Sequence, residues 1–327
     1  MEERLNALLR LAILHEASDI HFTNFKAETK VEMRIADTIK LVKGHPDDRK
    51  MIRYLQYKAN LDVGNLTKPQ TGQFEWYLDD RFLSLRFALI HNPTMENAVL
   101  RILNEDLGLK AESLAIADEQ NRFFKRMMQQ RHGLFIASGP TSSGKTTSLY
   151  TLLHGIRHKK IITIEDPIEI HSEDFIQISV NEKAGLGYDE AIKQVLRHDP
   201  DIIMIGEIRD ELTAHMAIRA ANTGHLVITS LHAGSSILAI ERLLELKVEK
   251  GALKNVLIGI SNQRLFQRKG TEKKIVIYET MERDDILYYF EKGRVKDDFY
   301  RLKDRIKEAQ RQGLIDEDLA LQELIIA

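Results

Sequence analysis

Apolar positions near the N-terminus, Leu5, Leu8, Leu9, Ala12 and Ile13, recur at three- and four-residue spacing, the signature of one buried helix face. Beyond this expected amphipathic helix the period changes. Asp19–Phe22 and Val31–Ile35 alternate apolar with polar residues, as half-buried strands do. A helix is expected around Met51–Tyr57, a turn at Lys68–Gln73, and a hairpin whose arms, Phe74–Leu78 and Phe82–Phe87, flank Asp79-Asp80-Arg81. Ala98–Leu103 reads as a further strand, and the polar stretch 104–113, with Gly108, as a linker. From about residue 114 short apolar runs at 134–138, 161–164, 202–206 and 226–230 alternate with stretches long enough for helices. That alternation predicts a parallel sheet covered by helices. The segment from about 282 to 327 is highly charged, and Asp298–Gln310 reads as a solvated helix from its charge pattern. The expected organisation is an α+β domain over 1–104, a linker over 105–113, and an α/β domain with C-terminal helices over 114–327.

Composition adds limits. A chain of 327 residues has a prior of about two domains. Its 43% hydrophobic and 29% charged residues are those of an ordinary globular protein. With 47 basic and 49 acidic residues the formal charge is −2, which gives no global support for nucleic-acid binding. The absence of cysteine removes disulfides, catalytic thiols and any cysteine-based zinc site. Glu2 and Glu3 stand where an export signal would be basic, and Arg10 interrupts the apolar stretch. No apolar run reaches bilayer length. The expectation is a cytosolic protein that meets a membrane only through partners.

The candidate chemistry centres on residues 139–147, GPTSSGKTT. Gly139, Gly144, Lys145 and Thr146 satisfy the spacing G-x-x-x-x-G-K-[ST]. The apolar run before the loop and the apolar stretch after it supply the strand–loop–helix context such a phosphate cradle needs. Gly139, Pro140, Thr141, Ser142, Ser143, Gly144 and Thr147 shape the cradle with Lys145 and Thr146, and the backbone N–H groups of its non-proline residues could face phosphate oxygens, with the helix dipole favouring the anion. Lys145 would reach the β- and γ-phosphates, and Thr146 would ligate Mg²⁺. A glycine-rich turn without a ligand is the bland alternative; the full motif in its proper flanks argues against it.

Two strands end in carboxylates: Ile164-Glu165-Asp166-Pro167, and Ile202–Gly206 followed by Glu207. In open α/β sheets, ligands bind at the carboxyl ends of strands, so these acids should lie near the glycine loop. His232 follows the run 226–230 and is placed to sense a γ-phosphate; His225 precedes it and is expected to orient local structure.

At this point the chain resembles the motor ATPases of the type II/type IV secretion superfamily. Four boxes occur in the family's order: GPTSSGKTT, TIEDPIE, DPDIIMIGEIRD at 199–210 and TGHLVITSLHA at 223–233. The stretches Ala17–His21, Pro69–Gly72, Val99–Leu103, Asn262–Leu265 and Ile275–Glu279 extend the likeness over nearly the whole chain. The resemblance implies a RecA-like ATPase domain preceded by a smaller PAS-like domain, assembled as a homo-hexamer at the cytoplasmic face of a membrane platform protein. It implies that Glu207 activates the attacking water, and that Glu165 and Asp166 help hold Mg²⁺ and water. It also implies that Arg86 and Arg101 reach the nucleotide phosphates; Arg81 and Arg209 are further candidates, set against the ordinary reading of an arginine as surface solvation.

Departures narrow the likeness. Ser142 stands where relatives carry a third glycine, a change expected to be tolerated unless the position needs positive φ. The Thr-Asn pair usual after the histidine is replaced, the four-cysteine zinc element is missing, and no AIRNLIRE-like C-terminal motif occurs. Without the zinc element the chain resembles either the retraction motors or the motors of a competence pilus for DNA uptake; the missing C-terminal motif, the short tail and the divergent N-terminal boxes favour the competence branch. The expected ligands are ATP and Mg²⁺ without zinc, and no direct nucleic-acid contact is expected. A RecA-like nucleic-acid motor and a nucleotide-gated scaffold without useful turnover stay open as alternatives.

Overall fold

The computed structural model describes all residues except 27, 36–37, 66–67, 93, 104–108, 272, 319 and 322–327; the side chains at 81 and 183 are also left undescribed. The chain forms two compact units, Met1–Leu107 with Glu169–His171, and Gly108–Ile168 with Ser172–Ala327.

The first unit is an antiparallel sheet with two helices. Its elements are α1 (Glu2–Leu14), β1 (Ala17–Phe25), β2 (Glu28–Ile35), β3 (Thr38–Leu41), α2 (Asp48–Lys58), β4 (Gln70–Leu78), β5 (Arg81–Asn92) and β6 (Met95–Ile102). The strand order is β3-β2-β1-β6-β5-β4. The expected helix stripe is the buried one: Leu5, Leu8, Leu9 and Ala12 join Met51, Ile52 and Leu55 of α2 over Ile20, Phe22, Leu85, Phe87 and Leu100. A bidentate pair from Arg4 to the buried Asp48, 2.8 and 3.0 Å, fixes α1 to α2. Strand β3 was not visible in the sequence pattern, because all four of its residues are exposed.

The second unit contains α3 (Asp118–Met128), β7 (Gly133–Ser138), α4 (Lys145–His154), β8 (Ile161–Glu165), β9 (Ile176–Ser179), α5 (Tyr188–Val195), β10 (Ile202–Ile205), α6 (Glu211–Asn222) and β11 (Leu226–Leu231). It continues with α7 (Ser236–Glu245), α8 (Lys250–Val256), β12 (Leu257–Gln267), β13 (Lys274–Glu282), α9 (Arg283–Lys292) and α10 (Leu302–Arg311). The seven-stranded sheet runs β13-β12-β7-β11-β10-β8-β9. All neighbours are parallel except β13, which lies antiparallel on β12. The four apolar runs are its inner strands β7, β8, β10 and β11, each within a residue of the expected ends. Every residue of these four is buried, which explains why they read as continuous apolar runs rather than alternating ones.

Helix α3 packs Phe123 and Phe124 against Phe135 of β7, and Phe124 also meets Tyr278 of β13 edge-on. A Cβ on Gly259 would stand 2.5 Å from Met127 Sδ and 3.2 Å from the Phe123 ring, so a larger residue there would force the α3 side chains to shift. The expected linker falls partly outside the described residues; Ala111–Ser113 is a single 3₁₀ turn. The expected solvated helix at 298–310 needs correction. Helix α10 starts later, at Leu302, and buries Leu302, Ile306 and Ala309 against Phe266, Ile277 and Ile315. Its charges cover the outer face while a three-and-four apolar stripe docks it. Among the described residues no helix is long and apolar enough to cross a membrane.

Candidate functional site

Strands β7, β11, β10 and β8 are contiguous and parallel, so their carboxyl ends share one edge of the sheet. From that edge emerge the glycine loop after β7, His232 after β11, Glu207 after β10, and Asp166 after β8, whose last residue is Glu165. The sheet therefore gathers all the second-unit candidates at one place, as the ligand rule for open α/β sheets expects.

The loop has the backbone of an anion cradle. Gly139 adopts φ 146°, and a Cβ there would lie 2.7 Å from both the Gln263 carbonyl oxygen and Ser143 Oγ. Gly144 is the left-handed N-cap of α4, with φ 83°, and no side chain caps the opening turn of the helix. Ser143 Oγ is buried and meets no hydrogen-bond partner among the described residues. A pre-shaped loop, an uncapped helix N-terminus and an orphaned hydroxyl together suit a phosphate. Ser142 has φ 63°. The position does take positive φ, and serine there accepts a conformation that glycine would adopt without strain.

Lys145 is buried, its ammonium accepted by the carbonyls of Gly139 at 3.0 Å and Pro140 at 2.9 Å. Thr146, at the second position of α4, fits a Mg²⁺ ligand in a site where phosphates supply most of the oxygens. Among the described residues no group of three or more His, Cys, Asp or Glu is placed to hold a metal by itself.

The carboxylates have distinct surroundings. Glu165 is buried, and its Oε1 accepts from Tyr150 Oη at 2.5 Å and Thr163 Oγ1 at 2.7 Å. Burial, then the adjacent Glu165 charge, pushes the Tyr150 phenol well above its usual range. Gln177 donates to the same phenol at 2.6 Å. Glu207, with its side chain 20% exposed, accepts from Arg209 Nε at 2.6 Å and lies 3.1 Å from His232 Nε2. Arg209 also reaches the exposed Asp166 at 3.4 Å. The Glu207 hydrogen bond raises the guanidinium's proton affinity further. Tyr188, mostly buried, has its phenol raised by that burial and by the charges of Asp166, Glu207 and Glu165, which identifies it as a neighbour of the cluster. A partly solvated carboxylate flanked by an arginine and a histidine can orient a water and accept its proton, with cationic groups beside the developing charge. His225 instead bonds Thr223 Oγ1 at 3.1 Å and the Ala220 carbonyl at 3.3 Å, a local structural role.

A polar platform on β12 and β13 supports this edge. Gln263 Nε2 donates to the Ser143 carbonyl at 2.7 Å and Ser148 Oγ at 3.2 Å. Ser148 Oγ also pairs with Tyr278 Oη at 2.7 Å. Asn262 holds the Ala233 carbonyl at 2.9 Å, and Arg264 the Gly234 carbonyl at 3.3 Å, both just past His232. Sequence reasoning gave none of Gln263, Asn262, Arg264, Tyr150 or Tyr188 an individual role. The available signal was Asn-Gln-Arg inside the apolar stretch Leu257–Phe266, where buried polar side chains must find partners.

Arg86 and Arg101 belong to the first unit. They stand directly opposite each other on β5 and β6, and Arg101 is opposite Asp19 on β1. Like charges so placed repel; buried Asp19 accepts from Arg101 Nε at 2.7 Å and offsets one of them. The Arg81 side chain lies outside the described residues.

The second unit is thus an α/β fold with a phosphate-type cradle and a carboxylate cluster at the carboxyl edge of its parallel strands. The chain belongs to the type II/IV secretion system protein family, whose model matches residues 1–309. It is similar to the competence protein ComGA of Bacillus subtilis (strain 168), with 35% identity over 263 residues, 79% of this chain and 74% of that protein. It is also similar to the type II secretion system protein E of Pseudomonas aeruginosa, with 34% identity over 266 residues. That match covers 80% of this chain but only 53% of the longer relative. A crystal structure of the pilus retraction motor PilT with bound ADP superimposes with a TM-score of 0.74 and 26% identity, covering 97% of this chain and 96% of that one.

Proposed function

We propose that this chain is a Mg²⁺-dependent ATPase that powers a competence, type IV-like pilus for DNA uptake. It would work as a homo-hexamer at the cytoplasmic face of the membrane, against a platform protein. The observation that carries the enzymatic reading is the meeting of the cradle at 139–147 with the Glu207–Arg209–His232 cluster on one edge of contiguous parallel strands. The cradle and Lys145 bind and orient the phosphates, Thr146 with Asp166 serves the Mg²⁺, and Glu207 orients the attacking water. Glu165 acts from beneath, fixed by Tyr150 and Thr163. Mg²⁺ would neutralise phosphate charge during transfer. The ADP bound in the PilT structure and the similarity to the competence protein ComGA support ATP as substrate and competence as the process.

The first unit is read as PAS-like, supported by its antiparallel sheet, in which β1 pairs with both β2 and the late strand β6, with α1 and α2 packed on the sheet. Phosphate-contacting roles for Arg86 and Arg101 rest on the family resemblance. The test is phosphate release from ATP by the purified chain, with and without Mg²⁺, beside Lys145→Ala. Hydrolysis should vanish in the variant, and a deletion strain complemented with it should stay untransformable. Equal turnover by Lys145→Ala would reject the reading. A retraction motor is the second reading, favoured by the PilT superposition over 97% of this chain; a deletion strain that still extends pili but cannot shorten them would select it.

A further inference from the structure

We infer that Gln263 is a positioning residue that sets the receptive conformation of the glycine loop, and so controls nucleotide affinity rather than the chemical step. The inference rests on the ATP-binding reading above and deepens it.

Gln263 lies on β12, next to the loop's own strand β7. It backs the loop at both ends. Its carbonyl oxygen is 2.7 Å from where a Gly139 Cβ would be, and its Nε2 is 3.6 Å from the Cβ direction of Gly144. Between those glycines, Nε2 donates to the Ser143 carbonyl at 2.7 Å. The peptide joining Ser143 to Gly144 is planar and trans, so its C=O and N–H point in opposite directions. Pinning the carbonyl toward β12 therefore turns the Gly144 N–H away from β12, to the open side of the loop, at the N-cap of α4. That N–H is one of the donors a phosphate needs there.

The amide's orientation is itself determined. Turned over, Oε1 would face the Ser143 carbonyl, acceptor against acceptor. As it stands, Oε1 is buried and meets no hydrogen-bond partner among the described residues. The side chain thus leaves its own acceptor unsatisfied to hold the loop, a cost that packing alone would not require. Gln263 is fully buried, so no solvent water substitutes for the lost donor.

The experiment compares full-length wild type with Gln263→Met, which keeps the volume and removes the donor. Three quantities are read: Kd for a fluorescent ATP analogue, the kcat and KM of hydrolysis, and the melting temperature without nucleotide. One lost hydrogen bond that orients a phosphate donor should raise Kd and KM about tenfold, with kcat within about twofold, because binding is lost equally in ground and transition states. Gln263→Asn, which keeps the amide but falls short of Ser143, should show the same split if Gln263→Met does not fold. A folded variant with unchanged Kd, or with a lowered melting temperature as its sole effect, overturns the inference. A wild-type chain that binds no ATP overturns the functional reading instead.

Discussion

Removing the Glu279 carboxylate should destabilise the second unit more than most single substitutions would, because one buried acid closes two helix ends. Glu279 lies on β13 and is 3% exposed. Its Oε1 accepts the Ser236 N–H at 2.7 Å, in the first turn of α7, and its Oε2 accepts the Leu302 N–H at 2.8 Å, in the first turn of α10. The first N–H groups of a helix lack intrahelical partners, and the positive ends of two helix dipoles favour the anion between them. A hydrogen bond to a charged group contributes about 1.5–3 kcal/mol. Glu279→Ala forfeits two such bonds and leaves two N–H donors in a dry site, so a loss of about 3–5 kcal/mol is expected. For a unit of this size, about 2–4 °C accompanies each kcal/mol, which puts the fall in melting temperature at roughly 6–20 °C. Glu279→Gln keeps one acceptor and loses the charge, so it should fall between wild type and alanine. Urea unfolding with a matched m-value gives the free energies. Hydrogen exchange should show the amides of α10 opening first, since Leu302 and Ile306 dock that helix. A Glu279→Ala protein within about 1 kcal/mol of wild type would refute the reasoning, because surface ion pairs contribute that little and the acid would then be no clasp.

Gly139→Ala should lose nucleotide binding and about 2 kcal/mol or more of stability, since it combines φ 146° with a Cβ 2.7 Å from the Gln263 carbonyl; an isothermal titration that still shows ATP binding would count against the cradle. Glu207→Gln should retain ATP and lower turnover by about 10²–10⁴, with a stability change near the 0–1 kcal/mol of exposed ion pairs; phosphate release at the wild-type rate would remove Glu207 from the chemistry. Ser142→Gly should change stability by no more than about 0.5 kcal/mol, because relief of the left-handed strain is offset by the glycine's greater unfolded freedom. Ser142→Val at the same φ 63° should cost about 1–2 kcal/mol, and equal melting curves for the two variants would show that the loop does not hold that conformation in solution.

The legible parts of the chain were those where one physical demand acted on a continuous stretch. The four inner strands are buried on both faces, so most of their positions are apolar, with the polar exceptions Ser138, Thr163, Glu165, Thr229 and Ser230 at or near their carboxyl ends, and their ends could be read within a residue. The glycine loop was legible because its spacing is fixed by backbone geometry; the structure shows positive φ at Gly139, Ser142 and Gly144. Strand β3 has no buried side and hence no pattern. Strand β12 failed for the opposite reason. It is almost wholly buried, yet Asn262, Gln263 and Arg264 break its apolar run because they serve neighbouring loops. Their partners, Ser143, Ala233 and Gly234, are remote in sequence, and no local rule reveals them.

The same limit applies to the two carboxylates that end neighbouring strands. In the sequence Glu165 and Glu207 look alike, each closing an apolar run. What separates them is supplied by other segments. Tyr150 from α4 and Gln177 from β9 close over Glu165, and its Oε1 is occupied by two hydroxyl donors. Glu207 stays partly solvated, with Arg209 and His232 at its two oxygens. A group that must take a proton from water needs access to that water, and a buried group that already accepts from two hydroxyls is better suited to holding a strand end still. The division of labour between these acids therefore follows from burial and partners, and turnover that falls with Glu207→Gln but largely survives Glu165→Gln in a folded protein is the outcome that division requires.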